Sequence, residues 1–110
     1  MIPKEIALRL FDRLLLEDKT RLTARANTYP KVQNNNLELT IKFFKTLEGF
    51  NVAFYIRVEH LKSDEMSENE ITKEEYIQLQ KKFDKEFIKR SIVEAKESKH
   101  LVNLIRKALK

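Results

Sequence analysis

Cysteine is absent from this chain of 110 residues. Its absence excludes disulfide bonds, thiolate nucleophiles and every zinc site that has cysteine ligands. Proteins without disulfides are typical of reducing compartments. The N-terminal segment carries Asp12 and Glu17, and it lacks the basic start and the apolar stretch of a signal peptide. We therefore expect a cytoplasmic protein of a host cell.

Glycine is nearly absent as well, because Gly49 is the only one in the chain. A phosphate-binding loop needs several glycines so that backbone amides can approach phosphate, and a dinucleotide-binding fingerprint needs three. Both kinds of nucleotide site are therefore excluded. No serine has the small neighbours that the nucleophile elbow of a hydrolase requires.

Residues that bind metal ions are sparse. The two histidines, His60 and His100, are far apart in the sequence, and neither has a second ligand at metal-binding spacing. If Asp64 is taken as the first position of a calcium loop, Asn69 stands where that loop needs glycine. We therefore predict no metal ion, no cofactor and no enzymatic activity.

Long apolar runs are also missing. The longest extends from Val52 to Ile56, whereas a membrane-spanning helix needs about 20 apolar residues. We therefore expect no association with a membrane. Hydrophobic residues nevertheless make up 42% of the chain, which is enough for one packed core and argues against general disorder.

Charge is distributed unevenly along the chain, whose net charge is +5. Residues 1–61 carry a net charge of +3, residues 62–75 of −4 and residues 76–110 of +6. The basic excess therefore lies in the C-terminal region. A basic surface attracts anionic partners through long-range steering, so the distribution favours an anionic partner without defining a fold.

Two stretches give the strongest structural signal. Residues 37–46 and 50–60 each alternate between apolar and polar side chains, as strands with one buried face do. Gly49 lies between them, where a positive φ is needed for a tight turn. A β-hairpin with its tip at this glycine brings the apolar residues of both strands onto one face. The predicted pairs are Phe43 with Phe54, Ile41 with Ile56 and Leu39 with Val58.

Periodicity predicts the remaining elements of a single domain. Apolar residues at helical spacing predict a helix over residues 3–18, and a weaker alternation predicts a strand over residues 21–29. The acidic stretch 62–71 is predicted to be a solvated loop. The predicted order is α-β-β-β-α-α, an α+β two-layer domain in which a three-stranded antiparallel sheet packs on helices.

The C-terminal region is predicted to form two helices, over residues 73–90 and 92–109. The first begins with a capping box, in which Thr72 caps the helix and Glu75 reaches back. Ser91, followed by Glu94, offers a second cap. A single rod would be about 55 Å long at 1.5 Å per residue and would overrun so small a sheet, so two helices are preferred.

The polar face of the predicted hairpin combines basic and aromatic residues. The predicted register sets Lys42 opposite Tyr55, and the predicted first strand adds a basic residue beside them. This composition is typical of a sheet that holds a protein partner or stacks on bases. The alternatives are that these side chains only support one another on a solvated face, or that a C-terminal helix covers them. The candidate partner-binding residues are Arg25, Lys42, Phe44, Tyr55 and Arg57.

The leading hypothesis is therefore a small non-enzymatic protein that binds and occupies a macromolecular partner, a protein in preference to a nucleic acid. Near the C-terminus four apolar residues recur at helical spacing, and they either close the core or form the interface of a homodimer. These residues are Leu101, Leu104, Ile105 and Ala108.

Two other functions remain open. A nucleic-acid-binding protein would use the basic side of the C-terminal helices, although the acids interspersed there favour a solvated helix face. An enzyme would use scattered acid–base residues such as Glu38 and Glu59, which the predicted register brings opposite one another. The candidate nucleic-acid contacts are Lys81, Lys82, Lys85, Lys89 and Arg90.

The order helix, three strands, helix resembles the double-stranded RNA-binding domain. That resemblance transfers no residue, because Thr72-Lys73-Glu74-Glu75 is acidic where the family has a lysine cluster. The same order with a further helix, in a short chain rich in Lys, Glu and Asn, is similar to small phage-encoded inhibitors, including anti-CRISPR proteins. This second resemblance implies a phage or mobile-element protein that inhibits a host defence factor.

Overall fold

The computed structural model describes residues 1–25, 28–46, 48–49 and 51–109. These residues form two α-helices and five β-strands, so the chain has the predicted α+β class with five strands in place of three. The helices are α1 (Lys4–Leu15) and α2 (Lys73–Ala108). The strands are β1 (Arg21–Thr23), β2 (Lys31–Gln33), β3 (Leu37–Lys45), β4 (Val52–His60) and β5 (Met66–Ile71).

The strands form one antiparallel sheet in which neighbours along the chain are also neighbours in space, in the order β1-β2-β3-β4-β5. Gly49 has a φ of 78°, a left-handed conformation that glycine adopts without steric penalty. Phe50, the predicted first residue of the second hairpin strand, lies outside the described residues. The predicted register is confirmed: Phe43 pairs with Phe54, Ile41 with Ile56 and Leu39 with Val58.

Both helices cover one face of the sheet, which we call the inner face. The alternating apolar residues of β2, β3 and β4 point to this face and meet Phe11 of α1 and Phe83 of α2. Full burial of a large apolar side chain stabilises a fold by about 1.5–3 kcal/mol, so this layer holds helices and sheet together. Its fully buried side chains are Phe11, Val32, Leu39, Ile41, Ile56, Val58 and Phe83.

The strand predicted over residues 21–29 is wrong beyond Thr23. There β1 ends, and the chain reverses through a turn in which the Thr28 N–H donates to the Arg25 carbonyl at 3.1 Å. After this turn β2 takes the place beside β3. The alternation in this stretch was carried partly by alanines, which are poor strand formers, and it continued by chance into the turn. Ala26 and Asn27 lie outside the described residues.

The acidic stretch 62–71 is not only a loop, because it contains β5, which pairs with β4. Two inner-facing residues of β5 are polar and bond to the N-terminal segment. The Ile2 N–H donates to Ser67 Oγ at 2.9 Å, and Asn69 Nδ2 donates to the Ile2 carbonyl at 2.8 Å. A strand whose buried contacts are largely polar gives no alternating hydrophobic signal, which explains why the prediction failed here.

One continuous helix replaces the predicted helices 73–90 and 92–109. The capping box at its start is as predicted: Thr72 Oγ1 accepts from the Glu75 N–H at 3.0 Å, and Glu75 Oε1 accepts from the Thr72 N–H at 2.9 Å. Ser91 caps no second helix, because its hydroxyl donates to the Phe87 carbonyl, one turn earlier, at 2.8 Å. No glycine or proline interrupts α2.

The C-terminal half of α2 extends beyond the sheet. Residues 91–109 are all exposed, and the molecule measures 65 × 33 × 20 Å along its principal axes. The length that argued for two helices is therefore accommodated by a single helix, whose C-terminal half projects past the sheet. It does not break the helix, because the packed N-terminal half supplies the costly nucleus and each further residue adds its own backbone hydrogen bond.

Glu75 makes the start of α2 sensitive to acid. The pKa of Glu75 is lowered by a charged hydrogen bond from the Lys4 ammonium group, 2.6 Å away, and by the hydrogen bond from the Thr72 N–H. A carboxyl group with a lowered pKa stabilises the fold above its unfolded-state pKa of about 4.3, and that contribution is lost as the pH falls through the folded-state pKa.

We therefore expect Glu75→Gln to destabilise the protein near neutral pH, and the difference from wild type to shrink as the pH falls below about 4. Denaturant unfolding at a series of pH values measures this difference. Glu74→Gln, which changes an exposed neighbour in the same helical turn, is the control. A difference that does not change with pH would contradict the role of the carboxylate.

Candidate partner-binding surface

The face of the sheet away from the two helices, which we call the outer face, is open to solvent. Alternation along β3 and β4 places four of the five predicted partner-binding residues on it: Lys42, Phe44, Tyr55 and Arg57. Phe44 is 44% exposed, and the other three are half-buried. Both helices contribute to the core on the inner side, so no described helix covers these four residues.

An aromatic stack lies on the outer face. The rings of Phe44 and Tyr55 have centroids 4.9 Å apart and planes only 5° from parallel. Ala53 stands directly opposite Phe44, and its small side chain is buried. The two rings are diagonal neighbours across the β3–β4 ladder, a distance that aromatic side chains bridge. Of the two rings, Phe44 is the more exposed to solvent.

β5 changes the charge of the outer face. Its Glu68 and Glu70 lie beside Arg57 and Tyr55 in the register, and Lys42 Nζ is 2.8 Å from Glu68 Oε2. On the other side of the hairpin, Lys31 of β2 is 3.2 Å from Glu38. The face that the sequence predicts to be basic is therefore charge-compensated, because the acids of the predicted loop belong to the sheet.

Arg57, like Arg21 at the β1 edge of this face, has no such compensation. Glu68 lies opposite Arg57 in the register but pairs with Lys42. Within the described residues Arg57 enters no ion pair, and its buried Nε donates no hydrogen bond. A charged donor left without an acceptor raises the free energy of the protein. The charge of the guanidinium is therefore not compensated within the described part of the chain.

Arg25 lies apart from the other four residues. It is exposed and belongs to the turn between β1 and β2. The position beside β3 that the predicted strand assigned to this region is occupied by Lys31, which pairs with Thr40. The structure thus brings together four of the five predicted residues and separates Arg25 from them.

The predicted nucleic-acid contacts divide into two groups. Lys81, Lys85 and Lys89 are exposed on α2, and the equally exposed Lys82 is 3.1 Å from Asp12 of α1. Arg90 points inward and binds the end of α1. Its guanidinium donates to the backbone carbonyls of Leu15 at 2.9 Å, Glu17 at 2.9 Å and Thr20 at 2.6 Å.

The two carboxylates of the enzyme hypothesis stand opposite one another, as the register predicts. Glu38 pairs with Glu59 across β3 and β4, and Glu38 is bound to Lys31. Both lie on the outer face, whose described part is an open surface. Carboxylates tuned for acid–base chemistry need a cleft that separates their environments, and an open sheet face does not supply one.

An aromatic groove at the hairpin end of the inner face was missed by the sequence reasoning. Tyr76 of α2 packs against Phe43 and Phe54, with ring centroids 5.7 and 5.0 Å away, and burial raises the pKa of Tyr76. Phe43 remains 45% exposed. Alternation in the sequence predicts that Phe43 lies on the inner face. It does not predict how much of that face α2 covers. A cavity of about 700 Å³ beside these rings is lined by Phe43, Val52, Phe54, Ile71, Tyr76 and Ile77, among others.

The described part of the chain also bears on metal binding and on membrane insertion. No group of three His, Cys, Asp or Glu side chains is placed there to hold a metal ion. Neither of the described helices has a stretch that is both long and apolar enough to span a membrane.

The five-stranded sheet and the single C-terminal helix differ from the three-stranded order on which the resemblance to the double-stranded RNA-binding domain rests. Comparison of the chain with protein-family models, with curated proteins and with solved structures finds no match.

Proposed function

We propose that this protein is a small non-enzymatic binding protein that occupies a protein partner through the outer face of its sheet. One observation carries the proposal: on an open face, the Phe44–Tyr55 stack lies beside Arg57, a cation without an ion pair in the described chain. Aromatic residues and arginine are the residue types that contribute most to binding at protein interfaces.

The charge of the outer face favours a protein over a nucleic acid. Glu38, Glu68 and Glu70 lie among its basic residues, and a phosphate backbone would be repelled by them, whereas nucleic-acid-binding sheets are strongly basic. A protein surface can offer both a carboxylate to Arg57 and donors to the glutamates. Alternating charges of this kind fix the register of a protein interface.

The size of the outer face also fits a protein interface. Five strands about 4.8 Å apart, with lengths up to nine residues, give a face of roughly 19 by 30 Å. A typical interface buries about 800 Å² on each partner, which exceeds the roughly 570 Å² of this face, so a partner would cover the whole face and extend past its edges. The class of partner that the resemblance to small phage-encoded inhibitors suggests is a host defence factor, which the protein would inhibit by occluding its surface.

We expect the double variant Tyr55→Ala/Arg57→Glu to lose affinity for the partner by at least about 30-fold, because it removes half of the stack and reverses the unpaired charge. The partner is first identified by capture on immobilised wild-type protein from a lysate of the native host. Its affinity for each purified variant is then measured by calorimetry.

The matched control is Arg9→Glu/Leu16→Ala, which makes the same charge change on α1 and truncates an exposed apolar side chain at its C-cap. We expect it to bind within about threefold of wild type. A second variant, Phe44→Ala/Arg57→Gln, adds no acid to the outer face. It tests the same surface if the first variant fails to fold. Unchanged affinity in either folded outer-face variant would refute the proposed surface.

A further inference from the structure

The unbroken course of α2 aligns two basic stretches that are separate in the sequence. A helix turns by about 100° per residue, and on this basis eight cations between residues 81 and 107 fall within an arc of about 120°. We call this set the basic ridge. Its members are Lys81, Lys82, Lys85, Lys89, Lys96, Lys99, Arg106 and Lys107.

The acids of the same part of α2 lie outside this arc. Asp84 and Glu86 fall about 40° beyond its two borders, and Glu94 and Glu97 fall towards the opposite side of the helix. In the sequence these four acids appear to interrupt the lysines. The helix separates them, so that the ridge itself contains no acidic residue.

The basic ridge is exposed and faces away from the sheet. All eight cations are exposed, whereas the buried residues Tyr76, Leu79 and Phe83 lie on the opposite side of α2. Lys82 is paired with Asp12, and the other seven cations make no ion pair within the described residues. Between Lys81 and Lys107 the ridge is about 39 Å long at 1.5 Å per residue.

We propose that the basic ridge binds the phosphate backbone of double-stranded DNA. A straight row of cations about 39 Å long complements a regular polyanion, and binding would release the counterions condensed on the phosphates. The ridge carries no aromatic side chain, whereas proteins that hold single strands stack the bases on aromatic rings. The contacts are to phosphates and not to base edges, so binding is independent of sequence.

The free end of α2 favours a DNA duplex over an RNA duplex. Residues 91–109 are exposed on every side, and a helix with its side chains is about 10–12 Å wide. The major groove of B-form DNA, about 12 Å wide, admits such a helix, whereas the major groove of an RNA duplex is too narrow for side chains to read. The end of α2 can therefore lie along the mouth of this groove with the ridge against the phosphates.

This site is distinct from the outer face. The ridge lies on the side of α2 away from the sheet, and the outer face lies on the side of the sheet away from α2, so the core separates the two surfaces. One molecule can therefore hold a protein partner and DNA at the same time. The DNA-binding proposal does not depend on the proposed protein partner.

Fluorescence anisotropy with a labelled DNA duplex of about 30 base pairs, at salt concentrations from about 50 to 200 mM, tests the proposal. For wild type we expect binding that weakens steeply with salt, with a slope of log K against log[salt] of about −4 to −6 for five to seven phosphate contacts. Lys89→Gln/Lys96→Gln/Lys99→Gln should bind at least about 10-fold more weakly at the lowest salt, and its slope should be smaller in magnitude by about 2.7.

The matched control, Lys19→Gln/Lys45→Gln/Lys62→Gln, removes the same charge from exposed positions outside α2 and should change the affinity less than about threefold. Glutamine is a good helix former, and circular dichroism verifies that α2 is intact. The proposal is overturned if wild type fails to bind at the lowest salt, if both triple variants lose affinity equally, or if duplex RNA or single-stranded DNA binds as tightly. Retained DNA binding in Tyr55→Ala/Arg57→Glu would show that the two surfaces act separately.

Discussion

Replacing Phe83 with alanine is expected to lower the free energy of unfolding by about 3–5 kcal/mol. Phe83 is fully buried, and on α2 its ring lies 5.8 Å from that of Phe87. Truncation removes the transfer free energy of the ring and leaves a cavity between α2 and the sheet, which rigid neighbours fill only in part. A loss of this size approaches the whole stability of a small domain.

Urea-induced unfolding, followed by circular dichroism, measures the change. Ile105→Ala is the control, because Ile105 lies on the same helix but is 58% exposed, and we expect its effect to stay within about 0.5 kcal/mol. The comparison divides α2 into a half that packs on the sheet and a half that does not. Similar losses in the two variants would contradict that division.

The central hairpin was predictable because several independent signals agree. Alternation on β3 and on β4 each fixes which side chains face inward, and a slip of one residue would turn Ile41 or Ile56 towards water. Gly49 then fixes the turn, because its φ of 78° is a conformation that glycine favours. The four outer-face residues on these strands were placed correctly for the same reason.

The charge of the outer face was not predictable, because it depends on β5. The residues that hold the inner side of β5 are bound to Ile2, 65 residues from Ser67 along the chain. Local hydrophobic periodicity cannot report a polar contact over such a separation. Once β5 is in place, Glu68 pairs with Lys42, and Arg57 at the centre of the face enters no ion pair within the described residues. The charge of the candidate site therefore differs from the prediction, although four of its five predicted residues lie together.

The basic ridge was hidden by an ambiguous local signal. Ser91 is a good N-cap residue, and the sequence alone does not tell whether its hydroxyl caps a new helix or bonds one turn back to Phe87, as it does. If α2 broke at Ser91, the lysines before and after it would point in unrelated directions. Only the continuous helix keeps Lys89 and Lys96 on one side.

Arg90 is expected to be the most important charged residue for stability: Arg90→Ala should lower the free energy of unfolding by about 2–4 kcal/mol. The last carbonyls of a helix have no partner within it, and the Arg90 guanidinium donates to Leu15 at the end of α1 and to Glu17 and Thr20 just beyond. Its removal takes this donor from the partly buried carbonyls of Leu15 and Thr20, whereas the Glu17 carbonyl keeps its bonds from Thr20. It also releases α2 from the connection that leads into β1.

Lys89 and Arg90 form a crossed pair of controls, because the sequence assigns both to a nucleic-acid surface and the structure separates them. Arg90→Lys keeps the charge but not the planar fork, so it should lose at least about 1 kcal/mol of stability while its DNA affinity stays within about threefold of wild type. Lys89→Ala should keep its stability within about 0.5 kcal/mol and lose DNA affinity. Denaturant unfolding and anisotropy on both variants decide the matter. If Arg90→Lys were as stable as wild type and Lys89→Ala were less stable, the bonds of the Arg90 side chain to the end of α1 would be contradicted.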